Sequence, residues 1–402
     1  MKTKQSIILS FLWSASMMAQ GPEITSWILN TTGAKGYNNI SSNIQQVQYS
    51  TNNVYISASC IPGYAIGPWA GNPNVASNQN FVYKITRNPQ QNTGTATTVG
   101  LGHTGVWTNG VSVFNVSDGM SYNNAGVWNR NAYFWEGSSF DNCLGHPQQN
   151  GEYHHHVSPN CLYNINDSTH HSPLIGYAFD GYPIYGAYGY SNPNAAGTIK
   201  RMRSSYTTTT TSTRANGPSV SSTYPVGCFM EDYVYTAGSG DLDQRNGRYC
   251  VTPEYPNGTY AYFATLDGSL KPQFPYTMYK TYYGIVQSGN TGPSGGQNTI
   301  TESVTTYSPT STGVNYYKPA SIEVQMLPNE NKDFIFLFIE PILSNNFVVT
   351  VTDVTGKQVY RQEHVQPTIS YALDMRHVES GMYTVQITNS EYTYTRKIML
   401  KY

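Results

Sequence analysis

Turn-forming residues punctuate this chain at short intervals, and the segments between them are rich in tyrosine, threonine and valine. β-Branched and aromatic side chains suit a pleated surface, whereas Gly, Pro and Asn break long helices and favour turns. With 35 Tyr, 36 Gly and 22 Pro in 402 residues, the pattern predicts a mainly β protein with few short helices. Charge is scarce: Lys, Arg, Asp and Glu make up 11% of the chain, and the net charge is −1. A surface so weakly basic argues against a nucleic-acid partner, because phosphate binding needs a positive field.

The N-terminus reads as an export signal. Lys2 and Lys4 precede an apolar run from Ile7 to Met18, and Met17-Met18-Ala19 offers a small-residue cleavage site before Gln20. The run is too short to span a bilayer, and no later stretch reaches the ~20 apolar residues that a transmembrane segment needs. Residues 1–19 are therefore expected to be a signal peptide, and the mature protein to be secreted. Export permits disulfides. The simplest pairing of the five cysteines is Cys143 with Cys161 and Cys228 with Cys250, which leaves Cys60 over, although spacing alone does not fix connectivity.

Composition changes along the chain. Gly, Ser, Thr, Asn and Pro dominate from about Gln287 to Thr312, which reads as a linker. Beyond it, 16 of the 82 residues from 321 to 402 are charged, against 29 in the preceding 320. The expected organisation is a signal peptide at 1–19, a large β unit at 20–286, a linker at 287–320 and a second unit at 321–402. Ser204 to Thr213 reads as an exposed insertion loop in the larger unit. In the second unit, β-rich runs at 334–339, 347–352, 358–361, 369–373, 381–388 and 394–400 predict a small sandwich.

Six of the nine histidines fall between His146 and His171. In Tyr153-His154-His155-His156, strand alternation would place His154 and His156 on one face and His155 on the other. Two such imidazoles can chelate a metal, with His146 as third ligand. Asp141 or Asp180 would then act as orienting group or general base, with Glu152 a weaker candidate. Imidazole suits both zinc and copper. The competing reading is a polar core in which the histidines bond one another and tyrosine hydroxyls. HExxH, GxSxG and P-loop motifs are absent. Asp241-Leu242-Asp243-Gln244-Arg245-Asn246-Gly247 only superficially resembles a calcium loop, because its Gly is one place late and Arg245 stands where a ligand belongs.

Two family resemblances follow from these residues. Asp141-Asn142-Cys143-Leu144-Gly145-His146, Gly151-x-Tyr153-His154-His155-His156 and Pro159-x-Cys161 resemble the signature of the YHYH-domain family. The likeness continues through 173–186 and 231–263 and covers roughly 45–285. The family's second Tyr is His155 here, so His155 and His171 remain possible additions to the ligand set. The resemblance implies a secreted protein and locates a site, but names no reaction. Pro328-Asn329, the Asp353-x-x-Gly356-Lys357 turn, Gly381-x-Tyr383 and Arg396-Lys397 are similar to the C-terminal sorting domain of type IX secretion. That domain implies an immunoglobulin-like β-sandwich, the secretion machinery as partner, and transport across the outer membrane.

Two functions are thus expected to compete. One is a secreted metal-dependent hydrolase with zinc or copper held by His146, His154 and His156. The other is an extracellular adhesion or glycan-binding protein whose histidine cluster is structural.

Overall fold

The computed structural model describes residues 20–194, 197–292, 295–309, 323–328, 334–340, 347–365, 370–388 and 393–400. The proposed signal peptide lies outside the described residues. The chain divides into two compact units, which meet between Ser308 and Pro309.

The first unit is built on two sheets. One has four strands: β1 (Ile44–Tyr49), β2 (Asn53–Ala58), β3 (Phe81–Thr86) and the short 305–306 strand, which pairs with β1. The other has eight strands. In chain order these are β4 (His103–Trp107), β5 (Ser112–Phe114), β6 (His146–Pro147), β7 (Tyr153–His155), β8 (Leu174–Ala178), β9 (Pro183–Tyr185), β10 (Gly247–Cys250) and β11 (Thr259–Phe263). Their spatial order is β10-β11-β9-β8-β4-β5-β7-β6. The pairs β5–β7 and β9–β11 are parallel and the others antiparallel. Val47, Ile56 and Tyr83 of the first sheet share one apolar cluster with Val106, Trp107, Tyr177 and Tyr262 of the second.

Tyrosine dominates that core, and each buried hydroxyl must find a partner to offset its desolvation. Eight of the largest fully buried side chains are tyrosines. Tyr153 donates to Asp141, Tyr262 to Asp180, Tyr260 to Asp243 and Tyr185 to Glu254. Tyr276 donates to Asn131 and Tyr282 to the Thr104 carbonyl, while Tyr83 bonds Ser112 and Tyr177 bonds Tyr255. Four acidic residues of this sparsely charged chain, Asp141, Asp180, Asp243 and Glu254, thus accept from core hydroxyls.

Two expectations about the chain's organisation are corrected. Residues 287–292 and 295–308, expected as the start of a linker, belong to the first unit and bond the four-stranded sheet. Asn290 is fully buried and bonds both the N–H and the carbonyl of Lys84, at 3.0 and 2.5 Å. Asn298 and Gly296 bond Val82, so this segment covers the β3 edge, while Thr305–Thr306 pairs with β1 at the opposite edge. Covering both edges removes a template for strand addition. The Ser204–Thr213 tract is only partly a loop, because Tyr206–Thr208 pairs with Tyr233–Tyr235 and Ser205 is buried.

The cysteine expectation holds in one half and fails in the other. Cys143 and Cys161 form a disulfide, and Cys60 is buried and free. Cys228 and Cys250 do not pair. Cys228 lies beside the buried Arg214–Asp232 ion pair, whereas Cys250 sits on β10 in the main apolar cluster.

The second unit contains a three-stranded sheet (323–328, 334–340, 370–374) and a four-stranded one (358–365, 347–353, 381–388, 393–400). Val349, Val351, Val385 and Ile387 of the larger sheet share an apolar cluster with Leu373 of the smaller. The alternating burial along 347–353 and 381–388 is what a strand with one covered face requires.

Candidate metal centre

The histidine motif folds as a hairpin. Gln148 N–H donates to the Glu152 carbonyl and Gly151 N–H to the Gln148 carbonyl, closing a turn in which Gly151 has φ +82°. That left-handed conformation favours glycine. The turn sets the register so that His146 of β6 faces His154 of β7 directly. Directly opposed residues on one face bring their side chains within contact. Two residues on, His156 returns to the same face, as period-two alternation predicts, and the three imidazoles converge.

Their Nε2 atoms point at one another. His154 Nε2 lies 3.1 Å from both His146 Nε2 and His156 Nε2, and all three lie within 4.8 Å of one another. Zinc–nitrogen bonds of ~2.0–2.1 Å in a tetrahedron imply nitrogen separations of ~3.4 Å, so the spacing is close to that of a ligand set. The far sides of the rings are held. His154 Nδ1 bonds the Glu152 carbonyl at 3.1 Å, His156 Nδ1 the Asn115 carbonyl at 2.5 Å, and His146 Nδ1 the Ser139 hydroxyl at 2.8 Å. A carbonyl only accepts, so His154 and His156 carry their hydrogen on Nδ1 and, when neutral, present bare lone pairs at Nε2. Two bare lone pairs facing each other at 3.1 Å repel, and a shared proton or a metal ion between them relieves that repulsion. Burial, with the neighbouring imidazoles, holds His154 well below its usual range, and burial with the His156 charge lowers His146 to about 4.

One residue at the site was not legible from the motif. Glu136 Oε2 lies 3.2 Å from His156 Nε2 and 3.8 Å from His146 Nε2. It follows α1 (Ala132–Trp135), whose first turn is capped by the Asn131 side chain accepting from Tyr133 N–H. Ser139, which bonds His146, ends the 3-10 turn directly after Glu136. Burial opposes ionisation of Glu136, but the hydrogen bond and charge of His156, with His146 and Arg130, outweigh it and lower its pKa. An acid beside Trp135, ten positions before His146, was the only sequence signal. Glu136 and the three histidines line a cavity of about 560 Å³ together with Asp118 and Phe114. The Phe114 ring stacks on His154 at 3.8 Å.

The two expected catalytic acids are not brought to this triad. Asp141 is engaged from all sides by the Gly67, Cys143 and Gly145 N–H groups, the Trp69 indole and the Tyr153 hydroxyl. Asp180 is fully buried and accepts from Tyr262 and from the N–H groups of Tyr182 and Gly284, and burial raises its pKa to about 6. Both acids serve the tyrosine core. Glu152 also points away, lying 2.5 Å from His103 Nε2 and accepting from Ser112 and Gln148. His155 packs on the opposite face against Tyr153 and Trp107, and burial lowers its pKa to about 3. His171 bonds the Ser172 carbonyl among Tyr185, Tyr190 and Phe263, apart from the triad.

Residues 82–275, which contain the whole triad and Glu136, match the family model described as YHYH protein. Residues 325–401 match the model described as secretion system C-terminal sorting domain. Residues 82–275 thus carry a YHYH domain and residues 325–401 a sorting tail. No curated protein matches the chain. The tail marks the YHYH domain for export by type IX secretion to the cell surface or beyond, and engages that machinery. Among the described residues no helix is long and apolar enough to cross a membrane. Within the YHYH domain, the motif's first and third positions after the leading Tyr supply His154 and His156, and the second supplies a side chain to the opposite face.

Proposed function

We propose that the YHYH domain is a metal-dependent hydrolase acting outside the cell, with zinc or copper held by His146, His154 and His156. The observation that carries this reading is the pair of Nδ1–carbonyl bonds, which turns the Nε2 atoms of His154 and His156 toward each other, 3.1 Å apart. Three neutral imidazoles form the donor set of catalytic zinc sites that keep a fourth position for water. A divalent ion in such a site lowers the pKa of bound water to about 7. Glu136, beside His156 and His146 and lining the cavity, is the group placed to hold or accept the water's proton. The Phe114 ring and the backbone carbonyls behind the imidazoles keep them in one orientation, so little rearrangement accompanies binding.

The test is the metal content of the full exported chain by mass spectrometry, beside His154→Ala/His156→Ala. Near-stoichiometric zinc or copper, lost in a variant with an unchanged circular dichroism spectrum, is expected. Failure to take up either ion on titration would leave a hydrogen-bonded histidine cluster in a binding protein.

A further inference from the structure

Two amide side chains in the wall of the triad's cavity are anchored by their nitrogens. The Pro147 carbonyl, which only accepts, takes a hydrogen from Asn72 Nδ2 at 2.9 Å and from Asn74 Nδ2 at 3.3 Å. Gln148 Nε2 donates at 2.7 Å to Oε2 of the fully buried Glu152. An amide is planar, so anchoring its nitrogen also sets the direction of its oxygen. Asn72 Oδ1 is filled by the Asn74 N–H at 2.9 Å. Asn74 Oδ1 and Gln148 Oε1, by contrast, receive no hydrogen bond among the described residues, and neither atom is sealed from solvent. Both residues line the cavity. Leu101, 46% exposed, and Trp135 line it too, and the Trp135 indole N–H is already bonded to the Cys228 carbonyl at 2.7 Å. That ring therefore offers carbon alone.

We infer that the cavity binds a neutral saccharide, whose hydroxyl hydrogens go to Asn74 Oδ1 and Gln148 Oε1 and whose C–H face lies on Trp135 and Leu101. Two oriented acceptors call for a ligand that brings donors to both, and a sugar carries several hydroxyl donors on one rigid ring. The hydroxyls of Ser117 and Ser138, also in the lining, serve as donor or acceptor and suit the sugar's oxygens. The negative face of an aromatic ring attracts C–H groups, which a sugar presents on its ring faces. A cavity of about 560 Å³ has the size of a small-ligand site. The inference deepens the hydrolase reading by naming its substrate class, and rests on that reading only for what becomes of the bound sugar. The binding contacts themselves use neither an ion nor the charge state of the imidazoles. Glu136 and Asp118, with Arg130 3.6 Å from the latter, act on every neutral ligand alike, so the probes carry no charge.

The test is titration of the full exported chain, after chelation, followed by nuclear magnetic resonance. The probes are cellobiose, maltose and N,N′-diacetylchitobiose, with a neutral dipeptide amide for comparison. At least one disaccharide is expected to bind below ~10 mM. Its fully O-methylated copy keeps the ring and the oxygens but has no hydroxyl hydrogen to give, and should bind ~10-fold more weakly. Asn74→Ala leaves Asn72 on the Pro147 carbonyl, and Gln148→Met keeps the side chain's length. Each should weaken the parent sugar ~3–10-fold, the change that one neutral hydrogen bond makes, and leave the methylated copy within about twofold. The inference is overturned if no disaccharide binds, if the methylated copy binds as well as its parent, or if Asn74→Ala binds the sugar as the unaltered chain does. Tighter binding of the dipeptide amide than of every sugar would also overturn it. Metal uptake and cleavage of the bound sugar are read afterwards with added zinc or copper. Their failure would sink the hydrolase reading while the metal-free titration still decides this one.

Discussion

At the scale of single residues, the orientation of each imidazole matters more than its presence. The carbonyl of Glu152 fixes the tautomer of His154, and the contact of Glu136 with His156 adds a negative charge where a cation would sit. Glu136→Gln keeps the shape and removes the charge, and zinc affinity is expected to fall ~10–100-fold, the usual cost of losing a group that supports metal ligands. Competition against a calibrated chelator would measure it. His155 offers a pH test independent of the triad. Its folded pKa of about 3 lies below the ordinary histidine value of 6.5. The unfolded chain therefore binds a proton as pH falls through 6.5, whereas the folded chain does not until near 3. Stability from this residue is complete above 6.5 and is lost progressively below it. His155→Phe should abolish about 3 kcal/mol of the stability lost between pH 7 and 4.5. Urea unfolding of the metal-free chain at both pH values reads this directly, and equal losses in the two proteins would refute it.

At the scale of elements, the hairpin of β6 and β7 was largely legible in the sequence, because strand alternation and a Gly-containing turn are local. The separation of His154 and His156 from His155 follows from period two alone. Glu136 was not legible, since a short helix and a 3-10 turn carry it back to the hairpin and no periodicity links it to the histidines. Asp141, expected as an orienting group or general base, lies in a loop whose own Cys143 and Gly145 N–H groups bond it. Gly145, between Asp141 and His146, shows how tight that loop is. A Cβ there would stand 2.4 Å from the Tyr153 ring. Gly145→Ala is expected to destabilise the first unit by about 1–3 kcal/mol through overpacking and to weaken zinc binding with it. Unchanged midpoints in thermal unfolding and chelator competition would contradict this.

At the scale of the whole molecule, a chain with little charge uses several of its acids as acceptors for tyrosine hydroxyls, and Asp180, expected as an orienting group or general base, accepts from Tyr262. Tyr262→Phe leaves that buried carboxylate one donor short and should cost about 1–3 kcal/mol, measurable by chemical denaturation. The composition shift foretold a second unit, but not that residues 287–308 belong to the first. Gly, Ser, Thr and Asn read as linker in isolation, whereas here Asn290 and Asn298 bond the β3 edge through their side chains. A first unit ended at Ser308 should therefore melt at a higher temperature than one ended at Gln287, and identical melting would show that the edge cover contributes nothing.

The disulfide bears on where the proposed site would hold an ion. Cys143 and Cys161 enclose His146, His154 and His156 in one covalent ring. A ring of this length adds roughly 3 kcal/mol to the folded hairpin, and it closes only where thiols oxidise. Before oxidation the three imidazoles lack that support, so an ion at the proposed site would be held most firmly after export, and imidazole ligands alone would accept whichever of zinc or copper the surroundings supply.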